Sequence, residues 1–311
     1  MNSTVPAWRT TPIPTDGTGQ TGDKVFGLEH QILGSLIIII ALIGLGGNGT
    51  VLWLLGFRMR RNAFTVYILN LAGADFFLLC CLIIDHLLLS IQFLHISSIP
   101  DYILYPLLYV VFFPYTVGLS VLTAISTERC LSVLWPIWYH CHRSKNLSAV
   151  VCALLWVLAL ILNLLECIYC IRLSKHHDDY QCKKIDYTIA SWLIFLFVVL
   201  LGSSLALLVR VLRGSHRVRL SRLYVTVLLT VLVFLLCGLP FGLFWFLITK
   251  NIPLNFKHLS IVHLIVAVLS GVNSCANPII YFFVGSFRQQ KRQPLKLVLE
   301  RALQGTPEDD E

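Results

Sequence analysis

The stretch Asn277-Pro278-Ile279-Ile280-Tyr281 closes the last of seven mostly apolar segments, each about 20 to 30 residues long, and these segments decide the fold. A bilayer core of about 30 Å needs about 20 apolar residues of helix, because lipid offers no partner to a free backbone group. The sequence therefore predicts an all-α integral membrane protein, a bundle of seven transmembrane helices with a C-terminal amphipathic helix. The predicted spans are about 31–56, 63–90, 103–133, 147–170, 187–211, 223–249 and 259–284.

Charge is scarce and falls on one side of the predicted bundle. Hydrophobic residues make up 57% of the chain and charged residues 13%, against roughly 25% charged residues in soluble domains. The net charge of +8 comes from basic residues that follow span one, precede span four, link spans five and six, and follow span seven. The positive-inside rule makes that side cytoplasmic and puts the N-terminus outside. The basic charge is thus a topology signal, and we expect no nucleic-acid partner.

The chain divides into a tail, the bundle and two short C-terminal segments. Residues 1–30 are predicted to form an extracellular tail with a glycosylation sequon at Asn2, and residues 31–285 the bundle. Residues 286–303 read as a basic amphipathic helix that lies in the lipid headgroup layer, and the acidic residues 304–311 as disordered. The sequence contains no Gly-rich phosphate loop, zinc motif or nucleophile elbow, so we expect no enzyme and no metal centre.

Asp75 lies in the middle of span two. A lone carboxylate there costs about 3 kcal/mol on insertion scales, so it must face the bundle interior and find partners. The candidate partners are Asn48, Ser120, Asn273, Ser274 and Asn277. Two interpretations stay open: a purely structural polar cluster, or a hydrated switch core that holds a sodium ion.

An ordered set of motifs carries a family resemblance. Asn48 in Gly-Asn-Gly, Leu71-Ala72-Gly73-Ala74-Asp75, Glu128-Arg129-Cys130, Trp156, Pro240 and the Asn277–Tyr281 stretch fall in order along the spans. This set is similar to the rhodopsin-like G protein-coupled receptors. The stretches 51–62, 126–139 and 283–288 resemble the Mas-related receptors more closely. The resemblance implies a multi-pass receptor of the plasma membrane that activates heterotrimeric G proteins of the Gq type, with Gi as a second type. It also implies expression in sensory neurons or mast-cell-like cells, with a role in pain and itch.

The resemblance also assigns roles on the cytoplasmic side. Arg129 is expected to contact the G protein, Tyr281 to swing inward beside it, and Pro240 to provide the bend about which span six pivots. Three features depart from the common rhodopsin-like pattern. The arginine motif ends in cysteine, Gly238 stands where most members have a tryptophan, and no acid near Arg219 or Arg222 is available to hold Arg129. We therefore expect elevated basal signalling.

The outer cysteines predict a local disulfide. The usual rhodopsin-like bridge needs a cysteine at the outer end of span three, and none lies between Ile91 and Glu128. A Cys170–Cys182 bridge resembles the Mas-related arrangement and is the one expected, with Cys167 as the rival partner of Cys182. Such a bridge does not pin the second outer loop across the pocket, so a shallow, open binding site is expected.

Two acids near this bridge are the candidate ligand anchors. Glu166 ends span four and Asp186 starts span five, and acids at these positions look like the cation-binding pair of related receptors. The expected ligand is a cationic peptide or a small amphiphilic amine. Asp85 is a third candidate charge, and Tyr109, Phe241 and Trp245 are the candidate aromatic contacts, beside Tyr115, Trp192 and Phe244.

Other interpretations stay open. The acids can be ordinary residues at the water interface. Lys183 and Lys184, in the same loop, would favour an anionic or lipid-like ligand. A transporter or channel is a remote alternative, because the single buried acid Asp75 provides no path across the membrane. Beyond span seven the only hydroxyl side chains are Ser286 and Thr306, so arrestin recruitment is expected to be weak.

Overall fold

Seven helices in the computed structural model are long and apolar enough to cross a membrane. The structure describes residues 18–58, 62–93, 101–144, 146–172, 179–213, 222–249 and 256–286. The predicted fold class, an all-α seven-helix bundle, is confirmed. The amphipathic helix predicted beyond Ser286, the acidic tail at 304–311 and the sequon at Asn2 lie outside the described residues.

The helix bounds are as follows. Span one is Thr18–Trp53, which continues as a π-helical turn at Leu54–Arg58, and spans two and three are Ala63–Phe93 and Asp101–Leu134. A short helix at Pro136–His142, called the loop helix below, leads to span four at Leu147–Cys167, which ends in a π-helical turn at Ile168–Arg172. Span five is Asp179–Arg213 and span seven is Phe256–Ser286. Span six consists of Arg222–Val233, a π-helical turn at Phe234–Gly238, and Leu239–Thr249.

Two helices extend farther outward than the apolar pattern indicates. Span one begins at Thr18 instead of 31, inside the segment expected to be a tail, and span five begins at Asp179 instead of 187. The apolar criterion marks only the part of a helix that lies in lipid. Polar residues extend the same helix into water, where the backbone bonds remain satisfied within the helix.

Apolar residues lie both inside the bundle and on its outer surface. Span three is the most buried of the seven, and span one packs against spans two and seven. Large side chains such as Ile39, Leu154 and Val198 are exposed on the outside, where lipid would cover them. The fully buried positions include small and polar residues, among them Asn48 and Ser274. Large apolar residues outside and small or polar residues inside are typical of a membrane bundle whose helices approach closely through small residues and hydrogen bonds.

Side-chain hydrogen bonds connect span two to span four and span three to span five. The Trp156 indole donates to Asn70 Oδ1 at 3.1 Å and so links span four to span two. The Ser126 hydroxyl lies 2.8 Å from those of both Ser203 and Ser204, which links span three to span five. These bonds fix the neighbours of span three in the inner half of the bundle.

Candidate functional site

Glu166 is a buried carboxylate at the outer end of span four. Its side chain is 1% exposed, and the Trp245 indole N–H donates to Oε1 at 3.2 Å. Its Oε2 atom accepts no hydrogen bond from the described residues. The sequence predicted that Glu166 lies at a shallow, open site. In the structure Glu166 is buried instead, because Trp245 of span six contacts its carboxylate.

Aromatic rings from spans three and six surround this acid. The Trp245 ring stacks on Phe112 at a centroid distance of 4.5 Å and meets Tyr109 edge-on at 5.2 Å. Deeper in the bundle, Tyr115 lies 5.2 Å from Phe241. Of the predicted aromatic contacts, Tyr109, Phe241 and Trp245 thus belong to one cluster. Phe112 was missed, because an aromatic residue inside an apolar span carries no pattern that distinguishes it from its neighbours.

Two other predicted aromatics lie elsewhere. Trp192 is at the interface of spans three and five, where its ring stacks on Phe195 at 5.6 Å. Phe244 packs against His263 of span seven at 5.7 Å. The sequence gives the positions along each helix but not the helix rotation, and rotation decides which ring faces the acid.

The disulfide joins Cys170 and Cys182, as expected, with a Cα–Cα distance of 4.9 Å. Cys167 is free, so its pairing with Cys182 is wrong. The bridge ties the π-helical turn that ends span four to the first turns of span five. It brings Asp186 beside it: the Asp186 Oδ1 atom lies 3.7 Å from Cys170 Sγ, a contact without a hydrogen bond because a disulfide sulfur carries no proton. Glu166, Asp186 and Tyr109 are close enough to interact electrostatically.

Asp85 belongs to a separate cluster between spans one, two and seven. Its Oδ2 atom lies 3.7 Å from His263 Nε2, and both side chains are mostly buried. The His30 and His86 rings lie near this pair, with their centroids 5.8 Å apart. Asp85 thus has a histidine partner across the bundle. The sequence did not indicate these three histidines, because their meeting depends on helices far apart in the chain.

The centre of the bundle holds Asp75 by two donors from span seven. Ser274 Oγ donates to Oδ1 at 2.9 Å, and Asn277 Nδ2 donates to Oδ2 at 2.6 Å. Asn48 Nδ2 donates to the Ser274 carbonyl at 3.0 Å, which joins span one to the same cluster. Ser120, an expected partner, instead donates to the Thr116 carbonyl of its own helix at 2.7 Å. A small cavity of about 20 Å³ lies beside Asp75.

At the end of the bundle opposite Glu166, the acid and the base of the Glu-Arg-Cys motif have different partners. Arg143, just after the loop helix, forms an ion pair with Glu128 and donates to Ser148 Oγ at 2.6 Å. The Tyr139 hydroxyl also donates to Glu128, at 2.6 Å. Burial and the Glu128 carboxylate raise the pKa of Tyr139 to about 12, so this phenol stays a donor at physiological pH. Arg129 lies with its guanidinium 4.5 Å from the Phe64 ring centroid.

Span six contains a widened turn that includes a closely packed glycine. The Leu239 N–H donates to the Phe234 carbonyl five residues earlier, one residue before Pro240. A Cβ atom on Gly238 would lie 2.6 Å from the Phe234 ring and 3.2 Å from Asn273. Gly238 thus leaves room for the Phe234 ring. Tyr281 is buried and lines a small cavity with Phe64, the residue beneath Arg129.

Comparison with known proteins identifies the family. Residues 47–281 match the model of the seven-transmembrane receptors of the rhodopsin family. The chain belongs to this family. It also aligns along its full length with Mas-related G-protein coupled receptor member X2 proteins, and covers 94% of each. The identity is 56% over 318 residues for Rhinopithecus bieti and Homo sapiens, and 55% for Macaca mulatta. The chain is therefore a Mas-related receptor.

Family membership settles the coarse function. The protein is a multi-pass plasma-membrane receptor whose partner is a heterotrimeric G protein. The relatives that it matches are named as G-protein coupled receptors. The cluster around Arg129 and Glu128 lies at one end of the bundle and the cluster around Glu166 at the opposite end.

Proposed function

We propose that this receptor senses cationic peptides or amphiphilic amines through Glu166 and Asp186, and that binding there activates the G protein. The observation that carries the proposal is the Glu166 carboxylate, which is 1% exposed and has one oxygen without a donor among the described residues. A buried carboxylate is costly unless a cation or a full set of hydrogen bonds compensates it. An ammonium or guanidinium group would supply both. Asp186, beside the disulfide, adds a second negative charge within electrostatic reach.

The aromatic cluster supports a cation at this position. The Trp245 and Tyr109 rings lie beside Glu166, and cation–π contacts stabilise by about 0.5–2 kcal/mol depending on desolvation. The Trp245 indole donates to Oε1, and a cation bound at Oε2 would withdraw negative charge from the carboxylate and weaken this hydrogen bond. Ligand binding would thus release Trp245 and act on the outer half of span six, beyond Pro240. This movement is our proposed first step of activation.

Coupling and tissue follow from family resemblance. We propose Gq as the main partner and Gi as a second, with Arg129 as the contact residue. We also propose expression in sensory neurons or mast-cell-like cells and a role in pain and itch. An extracellular N-terminus, glycosylation of Asn2 and weak arrestin recruitment complete the proposal, the last because residues 285–311 contain two hydroxyl side chains, Ser286 and Thr306.

We also propose that sodium binds beside Asp75. The residues fit a hard cation, since each Asp75 oxygen has a lone pair beyond the one engaged by Ser274 or Asn277, and Asn48 Oδ1 accepts no hydrogen bond from the described residues. In the structure, Ser274 and Asn277 hold the carboxylate between spans two and seven. A cation there would strengthen this resting arrangement.

Calcium mobilisation in transfected cells tests the ligand proposal. The panel contains basic peptides and amphiphilic amines, and the variants are Glu166→Gln and Asp186→Asn, compared at equal surface expression. Glu29→Gln is the matched control, since Glu29 is an exposed acid at the outer end of span one. Responses that vanish in both site variants and persist in the control support the proposal.

An anionic or lipid-like ligand is the rival. Lys183 and Lys184 are exposed on the first turns of span five, next to Cys182 of the disulfide. Responses that survive Glu166→Gln and Asp186→Asn but fall in a Lys183→Gln/Lys184→Gln double variant would favour this rival and overturn the cationic proposal.

A further inference from the structure

Three histidines and one acid form a buried cluster, called the histidine cluster below, between the outer parts of spans one, two and seven. His30 comes from span one, Asp85 and His86 come from span two, and His263 comes from span seven. His30, Asp85 and His86 are each 7% exposed or less, and the His263 side chain is 13% exposed. The cluster has no part in the cation site proposed above.

One carboxylate of the histidine cluster faces three imidazole rings. The Asp85 Oδ2 atom lies 3.7 Å from His263 Nε2. The His30 and His86 ring centroids are 5.8 Å apart, and both rings are close enough to His263 to interact with it electrostatically. The carboxylate balances the charge of one imidazolium. Every further proton that a histidine binds therefore gives the cluster a net positive charge.

Among the described residues no second buried acid lies beside the histidine cluster. Besides Asp85, the charged residues in the apolar parts of spans one, two, three, six and seven are Glu29, Arg58, Asp75, Glu128 and Arg129. Glu29 is exposed, and Asp75 lies ten residues inward of Asp85, about 15 Å along span two. The other three lie at the opposite end of the bundle. The Cys81 thiol and the Phe244 ring, the remaining neighbours, are uncharged at neutral pH.

The His86 ring is tightly enclosed. A Cβ atom on Gly34 would lie 1.8 Å from His86 Cε1, so the ring lies directly against the backbone of span one. His86 Nε2 is 3.2 Å from Ser90 Oγ, and His86 Nδ1 has no hydrogen-bond partner among the described residues. A second proton on this ring would therefore add a buried charge and an N–H group without an acceptor. The ring has no room to turn away unless spans one and two separate.

Span seven connects the histidine cluster to the centre of the bundle. His263 lies eleven residues outward of Ser274, whose hydroxyl donates to Asp75. Both residues belong to one continuous helix, and such a rigid element carries a displacement from one part of the bundle to another. Repulsion that moves the outer part of span seven would therefore weaken the contact between Ser274 and Asp75.

We propose that the histidine cluster is a proton sensor through which acid raises basal signalling. As the pH falls, His30 and His86 bind protons beside His263, and the repulsion between like charges loosens the contact of span seven with spans one and two. An unperturbed histidine has a pKa of about 6.5, so the contact is intact near pH 7.5 and weakened near pH 5.5. The inference rests on the proposed orientation, which exposes this side of the bundle to the extracellular medium, and on no ligand at Glu166.

Agonist-free inositol phosphate production at extracellular pH 7.4 and pH 6.0 tests the proposal in transfected cells. We expect production to rise about threefold at pH 6.0, after subtraction of mock-transfected cells. The rise should be absent at equal surface expression in the His30→Gln/His86→Gln double variant, because glutamine does not bind a proton, and each single variant should show an intermediate rise. His177→Gln, between spans four and five in the chain, is the control and should respond like the wild type. An equal rise in the double variant overturns the proposal.

Thermal unfolding of the purified full chain tests the histidine cluster without a ligand, a G protein or a membrane orientation. The unfolding temperature of the wild type should fall by about 5 °C between pH 7.5 and pH 5.5, and that of the double variant by less than half as much. Equal falls in the two proteins overturn the proposal. A larger fall in the wild type without a rise in signalling at pH 6.0 shows a structural titration only and overturns the sensor. Neither result depends on whether cationic agonists bind at Glu166.

Discussion

Arg143 forms an ion pair with Glu128, the residue that immediately precedes Arg129. The acid is thereby held by the segment after the loop helix, while the Arg129 guanidinium lies over the Phe64 ring. Nor does Arg129 Nε donate a hydrogen bond to any described residue. Arg143 was predicted only as a topology charge, and the structure gives it a partner in the motif itself. This arrangement leaves Arg129 less restrained than an intact pair with its neighbouring acid would.

We predict that Arg143→Gln lowers basal signalling. Loss of Arg143 leaves the buried Glu128 without a cationic partner, and the nearest remaining one is Arg129. An ion pair between Glu128 and Arg129 would hold Arg129 in its resting position. Agonist-free inositol phosphate production should therefore fall about two- to fivefold, a factor that corresponds to the free energy of a partly exposed ion pair. Arg58→Gln, an exposed arginine at the inner end of span one, is the charge-matched control.

A double variant separates this mechanism from general damage. In Glu128→Gln/Arg143→Gln there is no acid to capture Arg129, so basal signalling should exceed that of Arg143→Gln alone. Equal signalling in the single and double variants, at equal surface expression, would show that Arg143 does not act through Glu128.

Removal of the disulfide is predicted to cost stability but not the fold. Cys170 and Cys182 are 12 residues apart, and closing a loop of this size stabilises by about 3 kcal/mol in the chain-entropy model. Cys182→Ser should therefore lower the thermal unfolding temperature of purified receptor and weaken cationic agonists, because Asp186 is no longer held beside the bridge. Cys167→Ser changes a free cysteine three residues away from Cys170 and should do neither. A loss of equal size in both variants would argue against a specific role for the bridge.

Gly238→Ala is predicted to destabilise the receptor. The added Cβ would lie 2.6 Å from the Phe234 ring and 3.2 Å from Asn273, and overpacking of this kind costs about 1–3 kcal/mol. Gly202→Ala is the matched control, since nothing lies within 4 Å of its Cβ position and alanine favours helix. Thermal unfolding should thus move in opposite directions in the two variants. An unchanged or raised unfolding temperature for Gly238→Ala would mean that Phe234 repacks freely.

Sodium is predicted to lower agonist affinity through Asp75. A cation beside this carboxylate would stabilise the contacts of Asp75 with Ser274 and Asn277, so agonist Kd should rise severalfold in sodium chloride relative to potassium chloride at equal ionic strength. Asp75→Asn should abolish the difference between the two salts. A salt difference that persists in Asp75→Asn would place the cation elsewhere.

The sequence predicted the spans because the bilayer imposes their length and composition. It did not predict their outer ends, since the helices that begin at Thr18 and Asp179 continue into water, where apolar patterning stops. The Cys170–Cys182 bridge followed from the family resemblance and was confirmed. The rival bridge would use Cys167, which is less than one helical turn from Cys170. The pattern of apolar residues does not distinguish two cysteines that lie so close together.

The candidate site was predictable in its acids and not in its contacts. Glu166 and Asp186 were candidates because acids at these positions look like the cation-binding pair of related receptors, but the burial of Glu166 under Trp245 depends on the rotation of span six. The same limit applies to Asp85, which meets His263 across 178 positions of sequence. The rotation of each helix is set by its packing against the other helices. A single sequence does not show which residues of different spans come into contact.

The widened turn at Phe234–Gly238 gives span six a register with a surplus residue. Each residue of an α-helix advances about 100° around the axis, so this surplus fixes the angular phase of everything beyond it. Refolding the turn into a regular α-helix with every residue kept would leave the cytoplasmic half in place and rotate Trp245 about 100° away from Glu166, whereas deletion of the surplus residue would keep the two halves in phase. The rotation of the outer half of span six is thus set separately from that of the cytoplasmic half. The π-helical turn, about two helical turns away from Trp245, determines which way the Trp245 side chain faces.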